Sequence, residues 1–123
     1  MAPEHRLVRQ ICMVENRLLG VSDVGTRVHP AVCIQVRGVS ALVLVGTDAN
    51  NVRPVAQHRY EVILPTMNNG LLIATAFHCV MWPLSIRTWQ HYCDNTSQGR
   101  GEITLEQLAK LRSTIQRLLR GRR

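Results

Sequence analysis

Long apolar runs are missing from this chain of 123 residues: no segment approaches the ~20 consecutive apolar positions that cross a bilayer. The N-terminus, MAPEHRLVRQ, has no hydrophobic stretch of the kind a secretory leader carries, so the expectation is a cytoplasmic protein with no membrane partner. Aromatic residues are scarce. Two Trp, two Tyr and one Phe are too few for a platform on which successive single-stranded bases stack. The chain holds no GxGxxG, no GKS or GKT phosphate loop and no GxSxG, which leaves nucleotide-binding and serine-hydrolase readings unsupported. Its five histidines show neither HxH nor HxxxH spacing and its four cysteines form no CxxC, so no metal and no other cofactor is expected. Three of those cysteines lie inside apolar runs, ICMV, AVCIQV and AFHCV, and read as reduced, buried thiols.

What the chain does have is arginine. Fourteen Arg and one Lys give nearly all the positive charge behind a formal net charge of +7. Guanidinium groups grip phosphate or carboxylate in two-pronged fashion and stay charged, so the excess points to an anionic partner, nucleic acid or an acidic protein.

Length alone indicates one domain, residues 1–123, with a β-rich body over 7–90, a helix over 104–120 and a basic tail at 121–123. Short apolar runs bounded by turn residues predict strands at 7–14, 31–36, 41–45, 60–64 and 74–81, with RGVS closing a hairpin between the second and third. The last segment is patterned differently. In GEITLEQLAKLRSTIQRLLRGRR, Thr104 and Gln107 form a capping box, and Leu108, Leu111, Ile115, Leu118 and Leu119 recur at helical spacing. Five strands and a terminal helix predict a mainly β fold with a C-terminal α-helix, an SH3-like small antiparallel barrel by first choice. The apolar segment VMWPLSIRTW, with Met81, Trp82 and Trp89, is a candidate interface patch, and Pro83 is expected to break strand continuity there. His58 and His91 read as loop residues.

The order of pieces is telling. HPAVCIQV, a hairpin to ALVLVGT, then HRYEVILP, then NGLLIATAFHCV, then RGEITLEQLAKLRSTIQRLL resembles the MazF/PemK (Kid-like) toxins of bacterial toxin–antitoxin pairs over residues 23–119. The resemblance implies an SH3-like barrel of the MazF/PemK/CcdB type, usually a homodimer. It implies a metal-independent endoribonuclease that cuts single-stranded RNA and is silenced by an acidic antitoxin. Gyrase-poisoning relatives share the fold, so the alternative is a catalytically degenerate member that acts by binding a protein.

Metal-free RNA cleavage needs a base for the 2′-hydroxyl, an acid for the leaving 5′-oxygen and positive charge or donors around phosphorus. Where the family has Arg-Pro-Ala, this chain has His29 before Pro30, with Arg27 two residues earlier. The family's threonine matches Thr47, or Asp48 if the match shifts by one. Its Arg-Cys-Asp matches His78, Cys79 and Val80, so the carboxylate is absent. The catalytic candidates are Arg27, His29, Thr47 and His78, and Arg53 and Arg59 join Arg27 as RNA-binding candidates. The same residues admit ordinary roles: Arg27 a solvated loop charge, His29 a residue held extended ahead of proline, Thr47 a strand end and His78 a satisfied interior histidine.

Overall fold

A computed structural model describes residues 5–15, 28–95 and 101–121. Arg27, most of the loop before it and the arginines at 122 and 123 lie outside the described residues. Three strands rich in Val, Ile, Leu and Ala form the centre of the sheet: β1 (Gln10–Glu15), β2 (Val28–Arg37) and β3 (Ser40–Asp48). They pair antiparallel, and the β2–β3 hairpin expected at RGVS is present, with Gly38 at φ +59° taking the left-handed position of its two-residue turn.

On its other edge β3 carries two short strands in succession. β5 (Thr75–His78) pairs with Gly46 to Asp48, and β6 (Trp82–Ser85) pairs with Ser40 to Val43. The run expected over 74–81 thus stops at His78 and resumes at Trp82. Pro83 does not end it, because β6 pairs with β3 alone and an edge strand tolerates a missing N–H. β4 (Tyr60–Ile63) pairs with β5, and β7 (Gly101–Glu102) with β1. The order β4-β5-β3-β2-β1-β7 makes a curled half-barrel of antiparallel strands.

Two helices cover its two faces: α1 (Ile86–Asn95) and α2 (Leu105–Arg120). Paired residues share a face and successive residues alternate, so Cys12, Val14, His29, Ala31, Val45 and Thr47 lie on one face. The Cys93 thiol of α1 touches Cys12 at 3.3 Å, which sets α1 over that face. Phe77 and Glu61 belong to the opposite face. There Thr114 of α2 donates to Glu61 Oε1 at 2.6 Å.

The C-terminal helix begins with both bonds of its capping box, and Leu108, Leu111 and Ile115 are buried. Leu119, expected on the same stripe, falls in the last turn and is half exposed. The interface reading of VMWPLSIRTW needs correction. Trp89 is fully buried on α1 and Met81 packs against the core, which leaves Val80 and Trp82 as the exposed large apolar side chains of the segment, at 42% and 38%. Ser85 starts this helix by accepting from the Thr88 N–H at 3.0 Å. All four cysteines are buried and unbridged. Among the described residues no helix is long and apolar enough to cross a membrane.

One arginine closes the fold. The β2–β3 register shifts between Cys33 and Gln35, a bulge that takes Ile34 out of the ladder. Arg112 of α2 donates through Nε at 3.1 Å and Nη2 at 2.7 Å to the carbonyl this leaves at Ile34. Replacing Arg112 by Leu orphans that buried acceptor and is expected to cost about 1–3 kcal/mol in urea unfolding. Lys110→Ala removes an exposed ammonium 3.7 Å from Glu61 and is expected to cost about 0.5 kcal/mol or less. Equal costs would sink this account of how α2 is held.

Candidate functional site

The site begins where two strands part. β2 and β3 remain paired only as far as Ala31 and Val45. Beyond that point β2 continues against β1, with His29 opposite Val14, while β3 continues against β5, with Thr47 opposite Ala76. Pro30 stands at the parting and has no N–H to offer either neighbour. Continued two places, the β2–β3 register would bring His29 opposite Thr47 on the face that α1 covers. Separation of the strands opens a cleft there instead.

That cleft has a volume of about 870 Å³, and His29, Thr47 and Asp48 line it from the parted strands. Leu71 to Ile73 supply an apolar wall, and Glu15 at the end of β1 adds a second carboxylate. Asp48 is partly committed, because its Oδ1 accepts from the Asn50 N–H at 2.9 Å and caps the short 3-10 turn that follows. The wall carrying Leu71 is held by Asn69, a fully buried amide that bonds within its own loop. It accepts from the N–H groups of Thr66 and Leu71 and donates to the Leu64 carbonyl.

Helix α1 contributes His91, Tyr92 and Asn95 to the same cleft. His91 is therefore a helical residue over the cleft and not a loop residue. The Asn95 amide donates to the His91 carbonyl at 2.7 Å and lies 3.3 Å from His91 Nδ1. A signal for α1 was present in the sequence: a serine cap at Ser85 and apolar Ile86, Trp89 and Cys93 at helical spacing.

The other candidates fall elsewhere. His78 shares the α1 face but sits two residues, roughly 7 Å, along β5 from Ala76 and does not line the cleft. Its ring stacks on Tyr60, with centroids 4.8 Å apart. Burial first, and then the nearby Arg59 guanidinium, lower its pKa from the usual histidine value. Arg53 and Arg59 are exposed at the two ends of the 3-10 segment around Pro54–Arg59, outside the cleft. Arg27 lies outside the described residues. Cys79 is no nucleophile: burial, and then Glu61, push its thiol up to about 12. Among the described residues no three His, Cys, Asp or Glu group together to hold a metal ion.

No protein-family model, curated protein or solved structure matches this chain.

His78 generates a prediction with a definite sign. Its folded pKa is depressed, so the unfolded chain takes up the proton first as the pH falls. Its contribution to stability is complete above about pH 6.5 and is lost as the pH falls through the lower folded value. Urea unfolding at about pH 7.5 and about pH 5.5 should show the wild type losing more stability over that interval than His78→Gln. Equal losses would remove the half-buried His78 held neutral by its surroundings.

Proposed function

We propose that this protein is the toxin of a toxin–antitoxin pair: an SH3-like barrel of the MazF/PemK kind that cleaves single-stranded RNA without metal and inhibits growth. The observation that carries the reading is the shared cleft, where His29 and Thr47 arrive from two strands that have just separated. Both sit where the family resemblance puts site residues. On this reading His29 takes the proton of the 2′-hydroxyl and Thr47 donates to a phosphate oxygen. Arg27 supplies the charge that neutralises developing negative charge on phosphorus. His91 lines the cleft from α1 and fills the place first given to His78 as the second acid or base. Exposed Arg53 and Arg59 hold the RNA backbone outside the cleft, as sequence-independent phosphate contacts do. The protein works in the cytoplasm as a homodimer, and an acidic antitoxin complements its +7 charge.

A second reading has its own observation. His78 stands apart from the cleft and Val80 occupies the position of the family's carboxylate, which favours a degenerate member that poisons a protein target.

Incubation of a long, unstructured RNA with the purified protein in excess EDTA separates the two. Site-specific cuts are expected, reduced ~10²–10⁴-fold by His29→Ala and ~10²–10³-fold by Thr47→Val, with Arg27→Ala also impaired. Intact RNA beside folded wild-type protein would overturn the ribonuclease reading and leave the protein-binding toxin.

A further inference from the structure

Two thiols that the cleft does not use lie against each other. Cys12 on β1 and Cys93 on α1 are separated by 81 residues in sequence, yet their sulfur atoms are 3.3 Å apart in the interior. Cys12 is fully buried and Cys93 is 5% exposed. A second hollow of about 390 Å³ reaches Cys93, bordered by Gly101 and Glu102 of β7 and by Gln10 of β1. The α1 cysteine therefore borders space that a small molecule can enter.

We infer that Cys12 and Cys93 form an oxidation site at which a small peroxide makes an intramolecular disulfide that pins α1 to the sheet beneath the cleft. The inference needs no assumption about what the cleft binds. The chemistry proceeds in two displacements. The Cys93 thiol gives up its proton as its sulfur attacks one oxygen of hydrogen peroxide; the O–O bond breaks, the other oxygen takes up that proton and leaves as water, and Cys93 becomes a sulfenic acid. Cys12 then attacks that sulfur, the S–O bond breaks, a second water departs and the S–S bond forms. Two thiols lose two protons and two electrons, and one peroxide takes them up to become two waters.

The other cysteines lack this arrangement. Cys33 and Cys79 are buried with sulfur contacts to the carbonyls of Gln35 and Phe77, and Cys79 is held strongly as the thiol. Oxidation is thus directed to one pair out of four cysteines. Its consequence reaches the cleft through both elements that it joins: β1 carries Met13 and Glu15 into the lining, and α1 carries His91 and Asn95. A bond between them fixes the spacing of the two walls.

The test uses the whole folded chain and a few equivalents of hydrogen peroxide, followed by denaturation, alkylation and peptide mapping without reduction. The expected product is one crosslink joining the Cys12 and Cys93 peptides, with the mass of two hydrogens lost and Cys33 and Cys79 recovered as alkylated thiols. The crosslinked protein should melt about 5–15 °C higher, because the bond closes a long loop in the unfolded chain. Backbone amides of α1 should exchange more slowly. Cys93→Ala and Cys12→Ala, each checked for folding by circular dichroism, should abolish both changes. Peroxide that yields only higher oxides of Cys93, or crosslinks at random among the four cysteines, overturns the site. A Cys12–Cys93 bond that leaves α1 exchange unaltered overturns the clamp.

Discussion

The architecture turns on how β3 divides its hydrogen bonds. Its first half pairs with β2 on one edge and β6 on the other, while its last three residues keep only β5. Gly46 stands at that change. A Cβ there would come within 2.5 Å of Thr75 Cγ2 and 3.0 Å of Phe77 Cε1, so the absence of a side chain lets β5 and the Phe77 ring lie close against β3. Phe77 in turn is fully buried. The strand is thus held firmly by β5 where it leaves β2, and the gap between β2 and β3 can stay open without loosening the sheet. Pro30 contributes from the other side by withholding a donor where pairing would otherwise continue. A cleft arises from backbone accounting before any side chain is considered.

Arginine content alone gives a poor map of the surface. The composition suggested guanidinium groups held for an anionic partner, but Arg112 serves the Ile34 carbonyl, Arg117 donates to the His58 carbonyl at 2.9 Å and Arg9 pairs with Glu102. These groups satisfy backbone acceptors and a carboxylate of the chain itself. Arginine suits that work because its planar fork reaches across an element to a carbonyl while its stem covers apolar surface. Arg53 and Arg59, by contrast, are exposed. Net charge therefore bounds the kind of partner without saying which arginines meet it.

Much of the fold was legible because the strongest signals are local. The capping box at Thr104, the Gly38 turn and the apolar centres of β2 and β3 appear where the pattern put them, since each is set by residues within one turn or one hairpin. α1 was missed although its cap and spacing were present. Two tryptophans and a proline invited reading the stretch as surface, whereas burial of Trp89 is decided by the sheet beneath it. For the site, alternation placed His78 on a face but could not say how far along the sheet it lies from Thr47. That distance depends on the β3–β5 register, a pairing between segments about thirty residues apart. His91 was illegible for the same reason: its place over the cleft follows from α1 docking on β1, and nothing near it in sequence reports that contact.

Helix α1 joins three demands that the rest of the chain keeps apart. It plugs the core with Trp89, rims the cleft with His91 and Asn95, and sets Cys93 against β1. Its ten residues present these side chains on different sides of one cylinder, so a shift of the helix moves all of them together. The buried side is close-packed and resists such a shift, which keeps the His91 wall at a set height above His29 and Thr47. An open half-barrel would otherwise leave the parted strands exposed to water on that face. By carrying a buried tryptophan on one side and an exposed histidine on the other, the helix couples the stability of the core to the geometry of the cleft. Substitutions that loosen Trp89 should therefore alter the cleft before they unfold the sheet.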